Sequence, residues 1–303
     1  MKKKSTIQKI KDSRITKVML ARKSVIVALI ILLIMILAAV FAPLVSPYDP
    51  YKQDLKNMLL GSTAGHIFGT DSMGRDVLSR IIYGGRVSFV VGAVSVLIAG
   101  GIGMILGLIS GMAGGFVDAV IMRVMDAMMS VPMIIMALFL GSIFGKGLGN
   151  ICLAIGISMI PNYARVTRGS VLTVKQMDYI TAGTLCGAST VKNAIDHIFP
   201  NCISANLVLM TMNIGNAILN EAALSFLGMG INPPTASWGS MVNDGYTYMS
   251  RDPIIAIVPG LFIMITVLCC NIIGDALRDA MDPKLRGTLG KKKKKAKAGK
   301  SEG

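Results

Sequence analysis

Residues 25–45 read VIVALIILLIMILAAVFAPLV, a run without a single charge. A helix that is apolar on every side has no face to offer water. About 20 such residues cross the roughly 30 Å of hydrocarbon in a bilayer. Five further apolar stretches follow. The second lies within 87–117, which is too long for one span, so its end is expected to be loop. The third, about 118–142, carries Arg123 and Asp126 in its first half. The fourth is about 148–166 and is expected to break at Pro161. The fifth is about 202–227, and the sixth, about 254–274, contains Pro259. Composition agrees: 16% of residues are charged, against about a quarter in soluble domains. The chain reads as an all-α integral membrane protein with six transmembrane helices. Lysines precede the first span, and Val40 and Ala42 imitate a cleavage site. The run is long for a signal peptide and Pro43 follows directly, so it reads as a retained anchor.

The net charge of +15 raises the question of nucleic acid, and its distribution answers it. Nine Lys/Arg lie in residues 1–24 and ten in residues 278–303. No basic face interleaved with aromatics is visible, so nucleic acid is not an expected partner. Positive charge collects on the cytoplasmic side of membrane proteins. With both termini cytoplasmic, 24 Lys/Arg fall inside and seven outside. This arrangement gives a basic cytoplasmic tail at 1–24, a six-span domain at 25–287 and a basic, disordered tail at 288–303. One large inner loop lies at about 167–201, and two outer loops lie at about 46–86 and 229–253. The lysine run 291–295 can also meet anionic membrane lipid.

No nucleophile–base arrangement is present, so the chain is not expected to be an enzyme. The stretch Gly141 to Gly147 resembles a phosphate loop but is one residue short, and Gly147 stands where a hydroxyl should meet magnesium. Cys152, Cys186, Cys202, Cys269 and Cys270 form no C-x-x-C pair and read as small core residues. His66 and His197 are far apart, and no metal-ligand spacing appears.

The inner loop is the most informative segment. Residues 178–186 have helical character, beginning Asp178-Tyr179, and Gly187 is placed to end that helix with a left-handed residue. Ala188 follows, and Ser189 can cap a second helix, although Lys192 does not complete a capping box. Pro200 marks the junction with the fifth span. Ala182, Gly183 and Gly187 have almost no side chain, so another protein could approach closely there.

These residues resemble the "EAA" loop of ABC importer permeases. The matching positions are Thr181, Ala182, Gly183, Gly187, Phe199 and Pro200; Thr181 stands where the family usually has Glu, and Gly183 where it usually has Ala. Four more segments resemble the dipeptide/oligopeptide/nickel branch and its "C" type permease. They are FGTDSMGRDVLSR (68–80), residues 117–132 with R-x-x-D before Pro132, EAALSFLG (221–228) with NPPTASWG (232–239), and GDALRDAMDPKLR (274–286). The resemblance implies a type I ABC importer permease fold with a cytoplasmic coupling helix. It implies a second, homologous permease, one or two cytoplasmic ABC ATPases and an extracytoplasmic substrate-binding protein. ATP and Mg would sit on the ATPases, with no cofactor on this chain. Di- and oligopeptides are the implied cargo, with nickel or a metal chelate as the alternative.

Polar residues inside spans are functional candidates. Asn206, Asn213, Asn216 and Asn220 fall within roughly 80° of one another at about 100° per residue. Leu209 shares that arc. Uncharged amides suit a translocation path for variable polar ligands, and they equally suit bonding between helices; the resemblance, in which this span borders the pathway, favours the path. Glu221, near the outer end, reads as a gate element or a structural partner. Arg123 and Asp126 can pair on one helix face. Asp71, Arg75 and Asp76 could contact the binding protein or fold their own loop. Trp238 reads as an interfacial anchor with a possible role in that contact. A self-sufficient secondary transporter or channel is the rival class; it predicts internal repeats, and none is visible.

Overall fold

The computed structural model describes residue 19 and residues 21–281. Most of the expected N-terminal tail and all of the tail at 288–303 lie outside the described residues. The described residues are helical without a strand, and one isolated bridge joins Thr70 to Asp76. Helix α1 is Lys23–Val40, and Phe41 separates it from the short α2, Ala42–Val45, with Pro43 in its first turn. A loop closed by hydrogen bonds leads to α3, Val77–Ala113. After the turn at Gly114 come α4, Gly115–Met129, and α5, Met133–Phe144. Helix α6 is Leu148–Lys175. The short helices α7, Asp178–Leu185, and α8, Thr190–Asn193, lead through a π turn at Ala194–Ile198 into α9, Phe199–Phe226. Helix α10, Trp238–Thr247, precedes α11, Ile254–Met281.

Several expectations change here. The second span is one helix of 37 residues, about 55 Å long at 1.5 Å per residue. It begins at Val77, ten residues before the apolar run, because the Asp76 side chain accepts a hydrogen bond from the Ser79 N–H at 2.7 Å and starts the helix there. Arg80 and Arg86 are charged but are good helix formers, so they do not delay it. The third span is two helices bent by 93° at Ser130-Val131-Pro132. Proline has no N–H to donate and pushes the preceding residue out of the α region. Pro161, by contrast, does not break α6. Neighbouring Ile160, Tyr163 and Ala164 pack against the glycine face of α3. An interior proline costs about 3 kcal/mol, which that packing offsets. The inner loop accordingly shrinks, since α6 continues to Lys175.

Among the described residues, four helices are long and apolar enough to span a membrane, and five if the bent α4–α5 pair counts as one span. The fourth expected span, α6, has the length but carries Asn150, Asn162, Arg165 and Arg168.

Helix directions give the bundle two ends. Helices α3 and α6 run parallel: Gly103 lies beside Tyr163, Gly107 beside Ala164 and Gly111 beside Val171. Helix α9 is antiparallel to α3, with Gly92 against Ile218 and Gly100 against Met210, and α11 is antiparallel to α9. One end therefore collects residues 46–76 and 227–253, and the other collects 176–198. The α3–α6 seam is the tightest: a Cβ on Gly107 would lie 2.4 Å from the Ala164 carbonyl oxygen, and one on Gly103 2.5 Å from Tyr163 Cβ. Small residues at four-residue spacing let helix backbones approach, which is the main source of attraction when lipid is as apolar as the side chains. Gly107→Leu should lower stability by about 1–3 kcal/mol through overpacking. Gly101→Leu, where a Cβ meets nothing within 4 Å, should change it little. Thermal unfolding in detergent compares the two, and equal midpoints would contradict the seam.

Candidate functional site

The loop at 176–198 is a pair of short helices around a glycine turn. Gly187 has φ +86, the left-handed region that suits glycine. The Ala188 N–H donates to the Gly183 carbonyl at 3.0 Å, and the Gly187 N–H donates to the Thr184 carbonyl at 3.0 Å. Those two bonds form a Schellman end to α7. Ser189 then caps α8 by accepting from the Lys192 N–H at 3.2 Å. Asn193 is buried beneath α7 and donates to Thr184 Oγ1 at 3.1 Å. A Cβ on Gly183 would come 3.2 Å from Asn193 Oδ1, so glycine at this position leaves room for the amide.

Ile180 and Ile198 are buried with Val171, Val174 and Cys202, which moors the loop to α6 and α9. Asp178, Tyr179, Thr181, Ala182, Gly187 and Ser189 are exposed, and Gly183 and Ala188 half-buried. Around them stand apolar side chains that sequence reasoning did not single out: Leu185 at 84% exposure, with Val191 and Ile195 also exposed. Their signal was available, since apolar residues outnumber what two short helices can bury. Cys186 is exposed at the end of α7 and is not a core residue, unlike the other four cysteines.

The asparagine row divides. Asn206 is fully buried and donates to Thr167 Oγ1 at 2.9 Å and to the Cys202 carbonyl at 3.0 Å. Asn213 is buried and donates to Tyr163 Oη at 3.0 Å. Both join α9 to α6 and face no open path, because the period that aligned them also aligned them with the polar positions of α6. Asn216 is exposed and donates to Asn213 Oδ1 at 3.2 Å; Asn220 is half-buried and donates to the Asn216 carbonyl at 2.7 Å. Leu209 lines an open groove of about 560 Å³ with Val166, Ser204 and Arg278. Glu221 is buried and accepts from Ser225 Oγ at 2.7 Å.

The four residues considered for binding-protein contact are buried instead. Asp71 accepts from Arg75 Nε at 2.7 Å, and Asp76 meets His66 Nδ1 at 2.9 Å. Trp238 is 2% exposed, donates to the Ile81 carbonyl at 2.9 Å and stacks edge-on against Phe89. It is a core residue, not an interfacial anchor, because its indole N–H finds a partner on α3. Asp126 pairs with Arg165 of α6 at 2.6 Å, not with Arg123 on its own helix. Asp118 accepts from Arg168 Nε and Nη2 at 2.6 Å each and from the Ser110 hydroxyl. These bonds strap α4 to α6.

Replacing Asn206 by Leu should cost about 1–3 kcal/mol, because the buried Thr167 oxygen loses its donor and keeps only its own bond to the Tyr163 carbonyl at 2.8 Å. Asn216→Leu should cost less than about 0.5 kcal/mol, as exposed positions do. Unfolding midpoints of the two variants compare them; a larger loss at Asn216 would contradict the division.

The comparisons with known proteins follow the same lines. A family model described as "Binding-protein-dependent transport system inner membrane component" matches residues 103–287. A second, "N-terminal TM domain of oligopeptide transport permease C", matches residues 14–61. The chain is 43% identical over 270 residues to the dipeptide transport system permease protein DppC of Escherichia coli K12, covering 87% of this chain and 90% of that one. It is 41% identical over 255 residues to the di/tripeptide permease DppC of Pseudomonas aeruginosa UCBPP-PA14, covering 82% and 84%. It is 40% identical over 250 residues to the glutathione permease GsiD of Escherichia coli O6:K15:H31, covering 82% of each. With this helical bundle, they establish that the chain belongs to the binding-protein-dependent inner membrane components, the type I permeases of ABC importers, in the dipeptide/oligopeptide/nickel branch.

Proposed function

We propose that this chain is the C-type permease subunit of an importer of short peptides and forms half of the translocation path. The carrying observation is the loop at 176–198. It places Leu185, Val191 and Ile195 in the open around a glycine turn while Ile180 and Ile198 moor it to two long helices. Exposed apolar side chains clustered on a rigid platform mark a protein contact. On this reading the platform seats in a cytoplasmic ABC ATPase that holds ATP and Mg, and a second, similar permease docks on its own ATPase. A binding protein delivers peptide at the opposite end. Closure of the ATPases moves the loop, and α6 and α9 carry that motion to the path.

Both termini are cytoplasmic on this reading, in keeping with the helix directions and the positive tails. Helix α6 brings the spans to six, with Arg165 and Arg168 paired to α4 and Tyr163 and Thr167 bonded to α9. The relatives described above are named for dipeptides, di- and tripeptides and glutathione, itself a tripeptide, which supports peptide cargo over nickel.

Co-purification from the native host tests the assembly: a second permease and ATPase chains are expected, and a homo-oligomer without ATPase would overturn it. The loop has its own test. A Cβ on Gly187 meets nothing within 4 Å, so only φ opposes substitution there. Gly187→Val should abolish peptide uptake with membrane insertion intact, because a β-branched residue resists positive φ. Gly187→Asn should retain part of it, since asparagine tolerates the left-handed region. Equal uptake by the two variants would remove the turn from the mechanism.

A further inference from the structure

At the end opposite the docking loop, a cavity of about 210 Å³ lies between the start of α3, the end of α9 and α10. Arg75, Arg80, Lys146, Ser240, Asn243 and Asp244 are among its walls. The two arginines are each 3% exposed. A buried charge is costly unless it is paired and its hydrogen bonds are met. Here one buried carboxylate, Asp71, serves both guanidinium groups. It accepts from the Met73 N–H at 2.8 Å, the Arg75 N–H at 2.9 Å and Arg75 Nε at 2.7 Å, with Arg80 Nε at 3.3 Å. A carboxylate offers about four lone-pair sites, so Asp71 is fully used. Among the described residues Arg75 has no other side-chain hydrogen bond, and Arg80 has only a long one of 3.4 Å to the Pro50 carbonyl. Asp244 is exposed and is hydrogen-bonded to neither. Three cations thus face two carboxylates, Asp244 on the wall and Asp71 behind it, which leaves a net positive charge with guanidinium N–H groups to spare.

We infer that this cavity is a carboxylate-binding site. A guanidinium fork matches the two oxygens of a carboxylate, and its weak hydration lets it work while buried. The volume admits a carboxylate on a slender chain and excludes a folded element. Resting on the importer reading, two sources supply that group: the C-terminus of the peptide cargo, or an aspartate or glutamate side chain of the docked binding protein. Asparagine and serine on the walls add neutral hydrogen bonds to the backbone of either.

The test uses the whole transporter, with its partner permease and ATPases, in proteoliposomes with the binding protein outside. Uptake of alanyl-phenylalanine and of its C-terminal amide is measured for the wild type, Lys146→Gln and Arg80→Gln. The affinity of peptide-free binding protein for the transporter is measured alongside. In Arg80→Gln the preference for the acid over the amide should fall about tenfold, the size expected for one charge-assisted hydrogen bond. Lys146→Gln, at the exposed rim, should give a smaller fall. An equivalent loss in binding-protein affinity, with the acid-to-amide ratio unchanged, also supports the site and assigns the carboxylate to the binding protein. Unchanged values for both variants, in complexes that assemble and keep their basal ATPase activity, overturn the inference. If Arg80→Gln does not assemble, unchanged values for Lys146→Gln overturn it alone. Failure of the wild-type chain to assemble with ATPases at all would instead defeat the importer reading.

Discussion

The seam between α3 and α6 is the contact on which the rest of the bundle depends. Gly103, Gly107 and Gly111 present bare backbone to Tyr163, Ala164, Thr167 and Val171. In a bilayer no hydrophobic force draws helices together, so close packing and hydrogen bonds between helices must do it. Helix α6 offers both. One side packs into the glycines, and Tyr163 and Thr167 meet Asn213 and Asn206 of α9. Further along, Arg165 and Arg168 hold α4. The least apolar of the long helices thus packs against α3, α4, α5 and α9.

That arrangement explains why α6 can lie in the bundle at all. Its arginines would be costly facing lipid. Arg168 and Arg165 are paired with Asp118 and Asp126, and Thr167 and Tyr163 are bonded across to α9, so these polar groups serve as links between helices. The same helix also anchors the loop at 176–198. Helix α6 ends at Lys175, three residues before α7 begins, and Val171 and Val174 pack against Ile180 of that helix. The loop at 176–198 is therefore joined directly to the helix packed most closely against α3.

The two ends of the bundle are built on different physics. The loop at 176–198 gets its shape from backbone: a positive φ at Gly187, a Schellman pair of hydrogen bonds and a serine cap. The opposite end gets its shape from buried charge. Asp71 and Asp76 organise residues 66–80, and Asp76 also starts α3, so the fold of that segment and the length of the longest helix have a common origin. Helix α9, continuous through its π turn with α8, reaches from one end to the other as a single helical run of 37 residues.

The sequence by itself determined the solvent and the helical class, because a charge-free run of about 20 residues has one stable environment. It also placed the glycine turn and the serine cap, since both are local: φ at Gly187 and the Ser189 hydroxyl answer to immediate neighbours. What depended on distant residues was out of its reach. Pro161 sits in an unbroken helix only because α3 packs beside it, and Pro132 bends its span through 93°. Four asparagines in a row looked equivalent by period, yet α6 buries two of them and leaves Asn216 exposed. Trp238 looked like a surface anchor until Ile81 and Phe89 enclosed it. Periodicity states which residues share a face of one helix; only the packing of helices decides what that face meets.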